Sequence, residues 1–198
     1  MIEVKELSKR FKLSRQQKRE MERGFTGSTI DAVAGVSFKC QPGRVFSLVG
    51  PNGAGKTTIL RIIATMLQPS SGSVSVAGYD TVREASQVRA NLGFLTGTTG
   101  LYGRLTPLEL IKYYADLNRI DKSAFEKRRD EIFHRLGIDE FAKRRIAKLS
   151  SGMRQKVSIA RTVIHDPDVV VFDEPTAGLD VITANEIIKL IRDFRNAG

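Results

Sequence analysis

Residues 50–58 read GPNGAGKTT, and this run constrains the fold more than any other stretch of the chain. Gly50, Gly55, Lys56 and Thr57 satisfy the pattern G-x-x-x-x-G-K-[ST] in full, with Pro51, Asn52, Gly53 and Ala54 in the variable turn. A loop of this kind wraps a string of phosphates with its backbone N–H groups. Glycine is needed because a Cβ would block close approach and forbid some of the dihedrals. Lys56 sets a compact positive charge on the outer phosphates, and the Thr57 hydroxyl suits Mg²⁺. Thr58 carries the chain into a helix whose positive dipole end faces the same anion.

The flanks predict the context that such a loop requires. Residues 44–49 (RVFSLV) form a short apolar run rich in β-branched and aromatic residues, as in a buried parallel strand. Residues 58–67 carry helical apolar spacing, and Pro69 closes the helix. The expected class is therefore α/β: a P-loop NTPase core with a mainly parallel sheet.

With 198 residues and 41% hydrophobic content, the chain is expected to form one domain with its own core. No apolar run reaches bilayer length and the N-terminus lacks a signal-peptide core, which points to the cytosol. The single Cys40 forms no internal disulfide. The net charge of +10 gathers at 12–23, 127–129 and 143–148. Nucleic acid, anionic lipid, an acidic partner and plain solvated faces all fit such patches. No aromatics interleave with the basic residues of the last two, so no base-stacking platform is supported and no nucleic-acid partner is expected.

Along the chain, residues 2–11 alternate at their start like an edge strand. Residues 12–29 are polar and predict a hairpin tip or a mobile loop. Residues 32–40, 73–77 and 92–95 read as further strands. From about 105 to 148 the spacing turns helical in three stretches, ending with EFAKRRIAKL at 140–149. Thr106, Pro107 and Glu109 form a capping-box start. A helical insert thus interrupts the strand–helix core.

Two further signals follow. Residues 169–175 read VVVFDEP, a strand with two carboxylates at its C-terminal end, where ligands bind in open parallel sheets. Asp173 is placed to hold Mg²⁺, and Glu174 to orient and deprotonate an attacking water. Two acids at one strand end repel each other without a cation, which implies a metal. Residues 149–153 read LSSGM, ahead of helical spacing at Met153, Val157, Ala160 and Ile164. Ser150 is then a helix N-cap or a phosphate ligand.

With these residues together, the chain resembles the nucleotide-binding domain of an ABC transporter over nearly its whole length. GPNGAGKTT is similar to Walker A, LSSGM to the signature loop, VVVFDEP to Walker B and AGLD (177–180) to the D-loop. The phrases GLYGRLTPLEL (100–110) and LRIIATMLQPSSGSVSVAGYD (60–80) are similar to ATP-binding subunits of bacterial sodium-extruding and multidrug-type exporters.

The resemblance implies one ABC-type ATPase domain over 1–198, with an N-terminal antiparallel β subdomain and a helical subdomain at about 97–150. It implies ATP and Mg²⁺ as cofactors. It implies two partners: an integral membrane permease subunit, and a second ATPase subunit in a homodimer or heterodimer. The location is then cytoplasmic, peripheral on the inner face of the cell membrane. Ser150, Ser151 and Gly152 would cap the γ-phosphate bound to the Lys56 of the other subunit. Asp180 would connect the two sites, and Phe11 would stack on adenine; packing beneath an edge strand is the other reading of Phe11. Departures from the family pattern are Ser151 and Met153 in the signature loop and Gly97 where the family has Gln. The family's late His has no counterpart before Gly198, so the expectation is a chain truncated at its C-terminus; His134 and His165 read as surface or helix histidines. The alternative functions are a soluble ABC ATPase, or a truncated nucleotide-binding regulator with weak hydrolysis.

Overall fold

The computed structural model describes residues 1–13, 27–96 and 100–196, in two compact units, 1–89 and 90–198. The first unit holds a four-stranded antiparallel sheet in the order β2-β1-β3-β4. Its strands are β1 (Ile2–Lys12), β2 (Thr29–Cys40), β3 (Ser71–Val76) and β4 (Tyr79–Asp80). The edge position expected for β1 is corrected: it lies between β2 and β3.

The misreading has a local cause. Ile2, Val4 and Leu7 are buried, but the last step is three residues and not two. Glu6 adopts φ 45°, and the register with β2 slips between Val4 and Leu7. This is a bulge, an extra residue in one strand of a pair. Gly72 makes room for it, because a Cβ there would lie 2.3 Å from the Glu6 carbonyl oxygen. The Ser37 hydroxyl accepts from the Glu6 N–H and donates to the Glu6 carboxylate, both at 2.8 Å. Between β3 and β4, Ala77 and Gly78 both have positive φ, as a tight two-residue hairpin requires.

The expected hairpin tip or mobile loop at 12–29 falls largely outside the described residues. At its base Lys12 pairs with Thr29, and the Leu13 N–H donates to Ser28 at 2.9 Å. The buried strand expected at 44–49 is not observed. This segment joins no strand ladder, and Val49 is 93% exposed. A strand needs a hydrogen-bonding neighbour, and apolar composition alone supplies none. Phe46 instead stacks on Phe38 of β2, with ring centroids 5.0 Å apart. Helix α1 (Lys56–Ile63) buries Ile59, Ile62 and Ile63. It stops short of the expected Leu67 because Thr65 turns left-handed at φ 60°.

The second unit pairs β5 (Leu92–Thr96) with β6 (Val169–Asp173) in parallel, Leu92 opposite Val169 and Thr96 opposite Asp173. After the short α2 (Ala85–Ala90) come α3 (Pro107–Leu117), α4 (Lys122–Leu136), α5 (Ser151–Val163) and α6 (Val181–Asn196). Their apolar faces share one core that includes Leu110, Phe133, Val157, Ile159 and Ile187. Helix α5 lies so close to β5 that a Cβ on Gly93 would meet the Thr162 carbonyl oxygen at 2.5 Å. The expected helix at 140–149 is replaced by two 3₁₀ turns, Asp139–Phe141 and Ile146–Lys148. Tertiary bonds divert the backbone there. The Ile146 and Ala147 N–H groups donate to Leu105 and Gly103, at 2.9 and 3.0 Å, not to residues four back.

The start of α3 agrees with the sequence. The Thr106 hydroxyl accepts from the Glu109 N–H, and the Glu109 carboxylate accepts from the Thr106 N–H. Thr106→Ala is expected to lower the unfolding free energy by about 1 kcal/mol, the usual worth of such a cap, as read by urea denaturation.

His165 is neither a plain surface nor a plain helix residue. It follows α5 half-buried, and its Nε2 lies 3.2 Å from the Leu92 carbonyl oxygen at the start of β5. Burial pushes its imidazole below the ordinary value of 6.5, with the Leu92 carbonyl opposing and the nearby Arg128 adding to the shift. The folded chain then binds this proton less readily than the unfolded chain. Stability tied to His165 is present above pH 6.5 and lost as pH falls below it. The parent is therefore expected to lose more melting temperature than His165→Gln as pH falls from about 7 to about 5, followed by thermal scans across that range.

Candidate functional site

The first unit supplies the phosphate loop. Gly53 and Gly55 sit at φ 83° and 84°, the left-handed region open to glycine. At Gly55 space forbids any side chain too, since a Cβ would lie 2.2 Å from the Ala32 carbonyl oxygen of β2. Gly50 is close to Ala54, whose Cβ would stand 3.3 Å from a Cβ added there. The Ala54 N–H donates to Pro51 at 3.2 Å, which closes the turn that exposes Asn52 and Gly53.

Lys56 opens α1 and bends back over the loop. Its Nζ donates to the carbonyls of Gly50 and Pro51, each at 2.8 Å. The ammonium is thus held across the loop. Gly55 caps α1 without a side-chain hydrogen bond, and the first turn carries no acid. Thr57 and Thr58 add two hydroxyl-bearing residues to that turn. Backbone donors, a fixed cation and an uncompensated helix start together suit a polyanion. Phe11 of β1 pairs with Ile30 and is 38% exposed, with the Lys9 ammonium 5.1 Å from its ring centroid. At this end β1 is laddered to β2, its pairing with β3 ending at Ser8.

The second unit supplies the acids and the LSSGM helix start. Asp173 ends β6 in register with Thr96. Glu174 follows, exposed, with φ 52°. That conformation swings its side chain out of the strand's alternation, and the Ala177 N–H donates to its carbonyl at 3.1 Å. Within this unit Asp173 offers hard oxygen donors, the ligand type Mg²⁺ takes.

Of the two readings of Ser150, the structure shows the N-cap: its hydroxyl accepts from the Met153 N–H at 3.2 Å. Ser151 is exposed at the first residue of α5, and again the first turn carries no acid. Gly152 is buried against α6, where a Cβ would meet Thr183 Cγ2 at 2.7 Å. Asp180 caps α6 by accepting from the Thr183 N–H at 3.0 Å and the Thr183 hydroxyl at 2.7 Å. Those two bonds hold its carboxyl below the usual range. Gly97, at the family's Gln position, lies outside the described residues with Thr98 and Thr99.

Three contributors escaped the sequence reading. Thr183 was legible, since D-x-x-T is a capping pattern. Gln155, whose amide donates to the Pro175 carbonyl at 2.5 Å, has no sequence signal, because the contact spans 20 residues. Lys9 was hidden among other basic residues of β1.

Comparison with known proteins agrees with this geometry. The model of the ABC transporter family matches residues 33–177. The ABC transporter ATP-binding protein NatA of Bacillus subtilis (strain 168) is 39% identical over 196 residues, 98% of this chain and 75% of NatA. The probable multidrug ABC transporter ATP-binding protein YbhF of Escherichia coli (strain K12) is 35% identical over 178 residues, 90% of this chain but 31% of YbhF. Among solved structures, the dimeric post-hydrolysis state of the ATP-binding cassette MJ0796 bound to ADP and Pi aligns with a TM-score of 0.81 at 26% identity. It covers 98% of this chain and 83% of that one. The chain belongs to the ABC transporter family, as an ATP-binding subunit. Among the described residues no helix is long and apolar enough to cross a membrane.

Lys56→Ala removes the ammonium held across the loop and is expected to abolish tight ATP binding without unfolding the chain. Titration with a fluorescent ATP analogue, beside circular dichroism, checks both; unchanged affinity rules out the phosphate-loop assignment.

Proposed function

We propose that this family member binds ATP with Mg²⁺, dimerises around it with a second ATPase subunit and hydrolyses it to power an integral membrane permease. The observation that carries the reading is the phosphate loop, with its two left-handed glycines and a lysine bridged to the Gly50 and Pro51 carbonyls ahead of an acid-free helix start. Residues 50–58 bind the phosphates through backbone N–H groups and Lys56, and the exposed Phe11 ring stacks on the adenine. Thr57 and Asp173 hold Mg²⁺, which when bound neutralises charge on the phosphate oxygens.

Hydrolysis then needs a water aimed at the γ-phosphorus. Glu174 accepts the proton from that water, and Lys56 stabilises charge on the transferred group. Ser150, Ser151 and Gly152 at the acid-free start of α5 face the γ-phosphate held by the other subunit, and Asp180 links the two sites. The MJ0796 complex, dimeric and bound to ADP and Pi, supports the shared-nucleotide arrangement. Residues 1–198 work as one ATPase domain, and its helical part at about 97–150 meets the permease. The exposed Tyr102 and Tyr113, ring centroids 6.2 Å apart, and the exposed Leu117 support a protein contact there. The location is the inner face of the cell membrane. The transported species is Na⁺ or a small molecule moved outward. The phrases at 60–80 and 100–110 support export, as does the likeness to the probable multidrug protein YbhF.

Glu174→Gln keeps shape and hydrogen bonding but cannot accept the proton. Its ATP affinity is expected to match the parent, while hydrolysis falls by about 10²–10⁴, the usual cost of a lost general base. Sedimentation in Mg-ATP should show an accumulated dimer. Turnover at the parent rate assigns the base elsewhere.

A further inference from the structure

We propose that Gln155 is a positioning residue that holds Glu174 in its working orientation and ties it to the start of α5. The inference rests on the reading of Glu174 as the base. Gln155 lies half-buried in the second turn of α5, and its Nε2 donates to the Pro175 carbonyl at 2.5 Å. Pro175 is the residue after Glu174, so this bond fixes the Pro175–Thr176 peptide group, one residue beyond the carboxylate-bearing residue. Glu174 itself stands at φ 52°. A non-glycine residue keeps such a backbone only when its surroundings impose it. Pro175 has no N–H to contribute. The turn is held by the Ala177 N–H on the Glu174 carbonyl at 3.1 Å and by the Gln155 amide on the next carbonyl.

The same helix is anchored a second time. Gly152, three residues before Gln155, packs on Thr183, and Thr183 is bonded twice to Asp180. Lys156 adds an ion pair with Glu186 of α6 at 3.5 Å. The α5 start, the Glu174 turn and the cap of α6 therefore share contacts within one unit. A displacement of Ser151 and Gly152 reaches Glu174 through the Gln155 amide.

A double-mutant cycle in the full-length protein tests this. Gln155→Leu keeps the bulk and removes the donor. Its kcat is expected to fall about tenfold, the scale of one lost hydrogen bond expressed in the transition state, with ATP affinity at the parent level and a melting temperature lower by about 2–4 °C. Gln155→Lys, which keeps an N–H donor on a chain of similar reach, recovers most of the rate. In a Glu174→Gln background, Gln155→Leu causes no further loss, because the group it positions no longer works as a base. A loss that multiplies with that of Glu174→Gln, or a parental kcat in Gln155→Leu, overturns the proposal. Parental turnover in Glu174→Gln alone overturns the base assignment first, and the inference falls with it. Should Gln155→Leu fail to fold, Gln155→Glu, similar in shape but ionised and without a donor, is judged by the same cycle.

Discussion

A turn that packs its backbone against a neighbouring strand can carry no Cβ at the point of contact, and the loop at 50–58 is built around that constraint. Gly55 is the extreme position: left-handed at φ 84°, and with the β2 carbonyl of Ala32 where a Cβ would go. The loop can therefore seat against β2 only as glycine. Lys56, the first residue of α1, folds back over the carbonyls of Gly50 and Pro51. The bulge at Glu6, relieved by Gly72, sets the course of β1 toward Phe11.

The second unit works by helix starts. Ser150 caps α5 and Asp180 caps α6, and the two starts touch at Gly152 and Thr183. Capping explains why these positions hold small or oxygen-bearing residues even before any ligand is considered. A cap hydroxyl that accepts from the helix still has its own proton to donate, so Ser150 can serve both roles.

Much of this was readable in the chain. The strands at β2, β3, β5 and β6 and the cap at Thr106 follow from short apolar or alternating runs and from capping residues that act over a few positions. The failures were those of reach. RVFSLV has the composition of a buried strand but no ladder partner among the described residues. EFAKRRIAKL has helical spacing, yet its Ile146 and Ala147 N–H groups go to Leu105 and Gly103. Residues 2–11 alternate at their start like an edge strand, and only the pairing on both sides of residues 2–8 puts that part inside the sheet.

The sequence by itself determined the GPNGAGKTT run, the two acids at the C-terminal end of β6, the LSSGM helix start and the family, because each is a contiguous run whose chemistry needs those residue types side by side. The tertiary structure alone decided that Glu174 leaves β6 left-handed, that the Gln155 amide meets the Pro175 carbonyl and that Gly152 bears on Thr183. Those contacts join residues 20 and 31 positions apart. No local propensity encodes them; they arise only when packing brings α5, α6 and the end of β6 together.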